Sequence, residues 1–369
     1  MPVFKTVDRL VTGPGCFDQL GELAKELGRR ALVVTGTSAM RKAGVTDRAG
    51  ERLSAAGVEP RLFEEIAGEP TAAQVDAGRR LCREERCDVV IGIGGGSPVD
   101  AAKAVAALAH AEAPASEYVR GRTADAGLPC IAVATTSGTG AEVTPNAVIS
   151  DPEGAVKASI RGPGVLPKTA VVDPDLTLTC PPDVTAASGM DALTQAIESY
   201  VSIHATPVTD GLAFEAARLL LRHLPAAFDD GSDRAAREAC AYGSVMAGMA
   251  LANARLGVVH GIAHPLGIRY HIPHGLCCGV MLPVSIRLNR EHAAEKYARL
   301  SHAAGAEIGD VVDALLDRLG MPRTFAAYDI DRGDFGLIAK ESLPSGSLKA
   351  NPKRVTEQDV IHILEQVAR

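Results

Sequence analysis

The stretch that most limits how this chain can fold runs from residue 88 to residue 103. Residues 88–93 (DVVIGI) form a continuous apolar run, the pattern of a strand buried on both faces. Gly94-Gly95-Gly96-Ser97-Pro98-Val99-Asp100 follows, and then a helical segment over 98–110. Ser97 reads as the N-cap of that helix, Pro98 as its first residue and Asp100 as the partner in a capping box. Three glycines ahead of a cap present backbone N–H groups where the helix dipole is positive, which suits a pyrophosphate. The spacing departs from G-x-G-x-x-G, because Ser97 stands where the last glycine would be.

The same alternation extends on either side. Residues 31–35 (ALVVT) read as a strand, 39–56 as a helix and 58–63 as a weaker strand. Thr71 is an N-cap for a helix to about residue 85, and 130–134 is another buried strand. Alternating β and α predicts a doubly wound, mostly parallel sheet. Near residue 180 the texture changes. Helical periodicity dominates over 185–202, 207–224, 232–256, 289–305, 308–319 and 356–368. The expectation is an α/β dinucleotide-binding domain over 1–180 and an all-helical domain over 181–369, with the boundary at 175–182. A chain of 369 residues suits two domains of roughly 100–200 residues each.

Composition removes several alternatives. With 38 basic and 45 acidic residues, the net charge of −7 disfavours a nucleic-acid grip through phosphates. Trp is absent and aromatics are 4%, which argues against a stacking platform. No apolar run reaches about 18 residues and the amino terminus carries no signal-like segment, so a cytoplasmic protein without a membrane span is expected. The eight cysteines include no C-x-x-C pair and read as small buried hydrophobes in a reducing compartment.

A second polar loop follows the strand at 130–134: Thr135-Thr136-Ser137-Gly138-Thr139-Gly140-Ala141-Glu142-Val143-Thr144. Hydroxyls at the carboxyl end of a parallel strand lie where open α/β sheets bind ligands. The strand at 31–35 ends in Gly36-Thr37-Ser38, with Arg41 close behind. A carboxylate at this place receives the ribose hydroxyls of NAD and repels a 2′-phosphate. Gly36 removes the repulsion, and Ser38 with Arg41 offers a phosphate contact, so NADP is favoured over NAD. The candidate cofactor contacts are therefore Gly36, Ser38, Arg41, Gly94, Gly95, Gly96, Ser97, Asp100, Thr135, Thr136, Thr139 and Lys157.

Four histidines crowd into fifteen residues: His260, His264, His271 and His274. His260 and His264 share one face of a helix. Gly261 occupies the glutamate position of H-E-x-x-H, so a zinc-protease reading fails. Gly189-Met190-Asp191-Ala192-Leu193-Thr194-Gln195 places Asp191 and Gln195 on one face of another helix. An aspartate and histidines from two helices make a divalent-metal site facing the cofactor.

Taken together, these residues resemble the iron-containing (group III) alcohol dehydrogenase family. The match includes Gly94-Gly95-Gly96-Ser97-x-x-Asp100-x-x-Lys103, the loop 135–144, Asp173-Pro174 and Gly189-Met190-Asp191-Ala192-Leu193-Thr194. It continues through His260-x-x-x-His264-Pro265-Leu266-Gly267, Pro273-His274-Gly275 and Asn351-Pro352. The resemblance implies a catalytic cleft between the two domains and hydride transfer between C4 of nicotinamide and an alcohol, aldehyde or ketone. It also implies a homodimer paired through the amino-terminal domain. Asp191, His260 and His274 match three of the family's metal ligands, for Fe2+ or Zn2+. The fourth is normally a histidine where this chain has Gln195, a neutral amide and a weaker donor. His264 is the candidate proton relay and His271 a second one. Arg161, Arg255 and Lys349 are candidate contacts for an anionic substrate. Two relatives of the same architecture remain open: a metal-independent, maleylacetate-reductase-like enzyme acting on an acidic oxo compound, and a dehydroquinate-synthase-type lyase.

Overall fold

The computed structural model describes residues 3–154 and 156–369. The chain divides into two compact units. One is Lys5–Thr136 with Gly140–Cys180; the other is chiefly Pro181–Arg369 and takes in Ser137–Thr139.

The first unit is built on a six-stranded parallel sheet: β1 (Arg9–Thr12), β2 (Arg30–Gly36), β3 (Glu59–Ile66), β4 (Val89–Gly94), β5 (Cys130–Ala134) and, later in the chain, β8 (Thr169–Val172). A separate antiparallel hairpin, β6 (Asn146–Asp151) with β7 (Val156–Arg161), lies between β5 and β8 in the chain. The helices of this unit are α1 (Leu20–Leu27), α2 (Ala39–Lys42), α3 (Val45–Ala55), α4 (Ala72–Glu84), α5 (Gly96–Leu108) and α6 (Ala115–Val119). Alternation along β2 explains the two layers of helices. Leu32 and Val34 face a core shared with α4 and α5, whereas Ala31 and Val33 face a core shared with α1 and α3. Both faces are covered, so the strand sequence is apolar throughout.

The strand order is β1-β8-β5-β4-β2-β3. From β2 the chain first steps outward to β3, then returns to the other side of β2 as β4 and proceeds to β5 and β8. The direction of winding reverses between β2 and β4. At that reversal the connections leaving the two strands diverge, opening a crevice at their carboxyl ends.

Two local expectations are corrected. The segment 39–56 is not one helix: it breaks between Lys42 and Val45, with Gly44 in a left-handed turn. Helix α5 begins at Gly96, with Gly95 as N-cap, so Ser97 lies inside the helix and no capping box forms. Gly94 lets the chain turn early, at φ 152, where a Cβ would also lie 2.8 Å from Pro98. By contrast, Thr71 caps α4 as expected, in a reciprocal box with Gln74.

The second unit is helical: α7 (Pro182–Val201), α8 (Pro207–Asp229), α9 (Arg234–Ala254), α10 (Val258–Tyr270), α11 (His274–Asn289), α12 (Ala294–Ala304), α13 (Ile308–Arg318), α14 (Phe335–Ser342) and α15 (Glu357–Val367). One core gathers α7, α8, α9, α12 and α13, and a second gathers α10, α11, α14 and α15. Among the described residues no single helix is long and apolar enough to cross a membrane.

Candidate cofactor and metal sites

Gly36 ends β2 and Gly94 ends β4, so these two glycines flank the crevice where the winding reverses. No side chain caps α5 among the described residues. The first turn of α5 thus begins beside the crevice without a side-chain cap, the arrangement that receives a phosphate. The loop after β5 stands beside this terminus. Thr135 donates its backbone N–H to Gly94 O (2.9 Å), and Thr136 Oγ1 would lie 3.2 Å from a Cβ on Gly95. Thr139 groups with the helical unit, where Ser244 Oγ donates to Gly138 O at 3.2 Å.

Three members of the expected cofactor set are engaged elsewhere. Asp100 is buried. Its Oδ1 accepts from Lys103 Nζ at 3.1 Å and its Oδ2 from the Val148 backbone at 2.9 Å, so it ties α5 to the hairpin. Arg41 grips Glu64 through two nitrogens, at 3.1 and 2.5 Å, and lies 3.4 Å from Asp47. Lys157 pairs with Glu69. Each is a cation or anion that found a protein partner, a choice that charge spacing along the chain does not reveal. Lys103 is fully buried and also holds Ala141 O (2.8 Å), Thr144 Oγ1 (3.2 Å) and Asn146 O. It thereby fixes the loop that leads out of the Thr/Gly segment.

The histidine cluster assembles within the helical unit. Asp191 sits in mid-α7, His260 on the first turn of α10 and His274 at the start of α11. Gly275 makes the approach of α11 to α7 feasible, because a Cβ there would lie 2.2 Å from Ala187 O. His260 Nε2 is 3.2 Å and His274 Nε2 3.7 Å from Asp191 Oδ1. On its other side the His260 ring donates through Nδ1–H to Glu198 Oε2 at 2.7 Å. Glu198 Oε1 in turn accepts the Val259 backbone N–H at 2.6 Å. This carboxylate fixes the tautomer and leaves Nε2 as the outward donor atom. Sequence reasoning missed Glu198, although 191, 195 and 198 lie on one helical face.

Cys278 was also missed. One turn after His274, its Sγ lies 3.7 Å from both His260 Nε2 and His274 Nε2. Ligand atoms of Asp191, His260, His274 and Cys278 all fall within 4.8 Å of one another. The reading of the cysteines as plain apolar filler is corrected at this position. The spacing His274-x-x-x-Cys278 was legible, but without C-x-x-C it attracted no notice.

Electrostatics match the geometry. Burial acts to raise the Asp191 carboxyl, but the charge of His274 and the hydrogen bond from His260 outweigh it and hold the group below its ordinary value. Burial acts to lower both imidazoles, yet Cys278 and the carboxylates around them raise both above the usual histidine range. The pocket stabilises positive charge at this point.

Gln195 is buried, and its Oε1 has no hydrogen-bond partner among the described residues. An orphaned buried acceptor of that kind costs about 1–3 kcal/mol unless something satisfies it. The His264 ring centroid lies 5.5 Å from that of His274, which brings His264 beside the cluster. His271 is exposed and closes α10 in a left-handed conformation at φ 54, the place of a helix terminus. Arg161, Arg255 and Lys349 are each exposed, on β7, just after α9 and in the short turn Leu348–Ala350.

A parallel sheet with a bare helix N-terminus at its reversal point, and a helical unit with a carboxylate–imidazole cluster, define a dinucleotide-dependent, metal-type oxidoreductase. The family model for iron-containing alcohol dehydrogenase matches residues 8–174, and that for the Fe-containing alcohol dehydrogenase family, C-terminal, matches residues 185–368. The 1,3-propanediol dehydrogenase of Klebsiella pneumoniae is 37% identical, over 96% of this chain and 95% of the relative. The NAD-dependent methanol dehydrogenase of Bacillus methanolicus is 33% identical, over 96% and 97%. The crystal structure of a 1,3-propanediol oxidoreductase superposes with a TM-score of 0.95 at 35% identity, covering 99% of both chains. The chain belongs to the iron-containing alcohol dehydrogenase family. It is an oxidoreductase of alcohols and aldehydes.

Proposed function

We propose that this enzyme transfers hydride between a nicotinamide dinucleotide on the sheet-bearing unit and a small alcohol or aldehyde activated at a divalent metal. The observation that carries the reading is the convergence of Asp191, His260 and His274 from three helices, backed by Glu198. One carboxylate and two oriented imidazoles suit Fe2+ or Zn2+, and the orphaned Gln195 Oε1 adds an oxygen acceptor on the Asp191 face of α7. When bound, the cation supplies a Lewis acid that polarises the carbonyl and stabilises the alkoxide.

The chain's own groups do the rest. The α5 N-terminus holds the pyrophosphate, and Thr135 and Thr136 line the adjoining loop. His264, beside His274, carries the proton to or from the alkoxide oxygen. His271 is given no part, because its exposed capping position serves the backbone. Gly36 leaves room at the end of β2 for a 2′-phosphate, with Ser38 as its contact, and favours NADP(H); Arg41, tied to Glu64, would have to leave its partner to help. The exposed positions of Arg161, Arg255 and Lys349 favour a neutral substrate over an anionic one. The three-ligand cluster also speaks against a metal-independent reductase, which has no use for it. The edge strand β1 offers an unpaired side for a symmetric dimer.

Metal analysis of purified protein, with turnover of an alcohol and aldehyde panel before and after chelation, tests this reading. Stoichiometric metal and chelator-sensitive activity are expected. Full turnover with no metal bound would overturn it.

A further inference from the structure

We infer that Cys278 supplies the fourth protein ligand of the metal as a thiolate, in place of the histidine that Gln195 replaces, and that this makes the site select zinc. The inference rests on the metal reading above and adds to it the identity of one ligand.

The geometry is that of a coordination shell. Zinc binds imidazole nitrogen and carboxylate oxygen at about 2.0–2.2 Å and thiolate sulfur at about 2.3 Å. Around a tetrahedral centre those bond lengths give donor–donor separations of about 3.4 Å for N and O and about 3.6 Å for S and N. The separations found are 3.2 and 3.7 Å from Asp191 Oδ1 to the two Nε2 atoms, and 3.7 Å from Cys278 Sγ to each Nε2. These four separations thus match those of a tetrahedral shell, and all the ligand atoms lie within 4.8 Å of one another. Ordinary packing does not require a cysteine to be equidistant from two imidazole nitrogens.

Local structure favours this corner. His274 and Cys278 are one turn apart on α11, so they project to the same side, and Cys278 is fully buried behind the histidines. Gln195 occupies the expected fourth position on α7, but an amide oxygen is neutral and hard. A thiolate is charged and soft, and soft sulfur ligands favour zinc over ferrous iron. Binding the cation releases the thiol proton, so no other reactant is needed. With a metal bound, these four residues would hold it and a substrate oxygen would have to add as a further ligand. Gln195 Oε1 is then left as an acceptor for a hydroxyl or water in the same pocket.

The test uses the purified full chain loaded with zinc, and separately with cobalt, and reads the metal rather than turnover. X-ray absorption of the zinc protein is expected to show one sulfur at about 2.3 Å among N/O donors. The cobalt protein is expected to show a sulfur-to-metal charge-transfer band. Both signals persist in Gln195→Ala and vanish in Cys278→Ser, whose zinc affinity falls at least tenfold. Competition between zinc and ferrous iron under anaerobic conditions favours zinc in the parent and loses that bias in Cys278→Ser. A parent protein that binds zinc with no sulfur neighbour overturns the inference and leaves the metal reading standing. Loss of metal in Gln195→Ala with retention in Cys278→Ser also overturns it, making Gln195 the ligand. A parent protein that binds neither ion overturns both. The measurement on the parent alone decides the central point, so a variant that misfolds does not rescue it.

Discussion

Glu142 shows how a single buried charge shapes the protein's response to pH. Burial, opposed in part by its own backbone hydrogen bond and by Lys103, pushes its carboxyl from 4.5 to about 7. The folded state therefore holds the proton more tightly than the unfolded chain. Stability from this group is full below pH 4.5 and declines until the pH has passed about 7. A shift of that size corresponds to about 3 kcal/mol. Relative to Glu142→Gln, the parent should lose about that much between pH 4.5 and 8 in urea unfolding. A difference between the two proteins that does not change with pH would contradict the account. Glu198 holds the His260 ring, and through it would orient a ligand of the proposed metal. Glu198→Gln should weaken zinc binding by about 10–100-fold, as loss of an orienting partner commonly does. Unchanged affinity by competition with a chelator would show that the carboxylate serves only the Val259 backbone. At this scale the sequence was legible in the grouping of Asp191, His260 and His274, which the fold brings within reach of one another. Glu198, Cys278 and Lys103 escaped because their roles depend on partners 62, 18 and 38–43 residues away.

Among the elements, the end of β2 and the α7–α11 crossing make opposite demands on glycine. A Cβ at Gly36 would meet only Ile66 O at 3.5 Å and Pro98 at 3.9 Å, which is ordinary contact. Gly36→Asp should therefore fold normally and act through charge, lowering kcat/KM for NADPH at least tenfold relative to NADH. Parallel changes with both cofactors would remove Gly36 from the specificity argument. Gly275 has no such room, since its Cβ would press on Ala187 O at 2.2 Å. Gly275→Ala should push α11 from α7, separating His274 from Asp191. Weaker zinc binding together with a lower Tm is expected, and an unchanged affinity would mean that the crossing does not set the site. Elements with a clear period were read correctly: β5 and α4 have the expected bounds within a residue or two. Helices α10 and α11 lacked that signal. The first half of α10 and most of α11 are buried, and the two contain Pro265 and Pro283, so no amphipathic stripe stands out. The starting point of α5 was misjudged by two residues because Gly95 stands at the cap, a use that the more familiar Ser97 concealed.

For the whole molecule, the edge strand β1 points to an assembly. Among the described residues it is paired only with β8, and Leu10 on it is exposed. An uncovered edge invites pairing with a second copy. Sedimentation equilibrium should give twice the chain mass, and a monomer at all concentrations would refute the homodimer. The sequence by itself determined the class of architecture, because strand and helix periods and glycine turns follow from local backbone physics. Through resemblance it also indicated the family and three residues that the fold brings together. Only the tertiary structure decided which charges are spent on internal partners, as with Asp100, Arg41 and Lys157. Only it placed Cys278 beside two imidazoles and Glu198 behind one. Those are outcomes of three helices crossing closely at small residues, and the distance between side chains on different helices is not written in the spacing along any one of them.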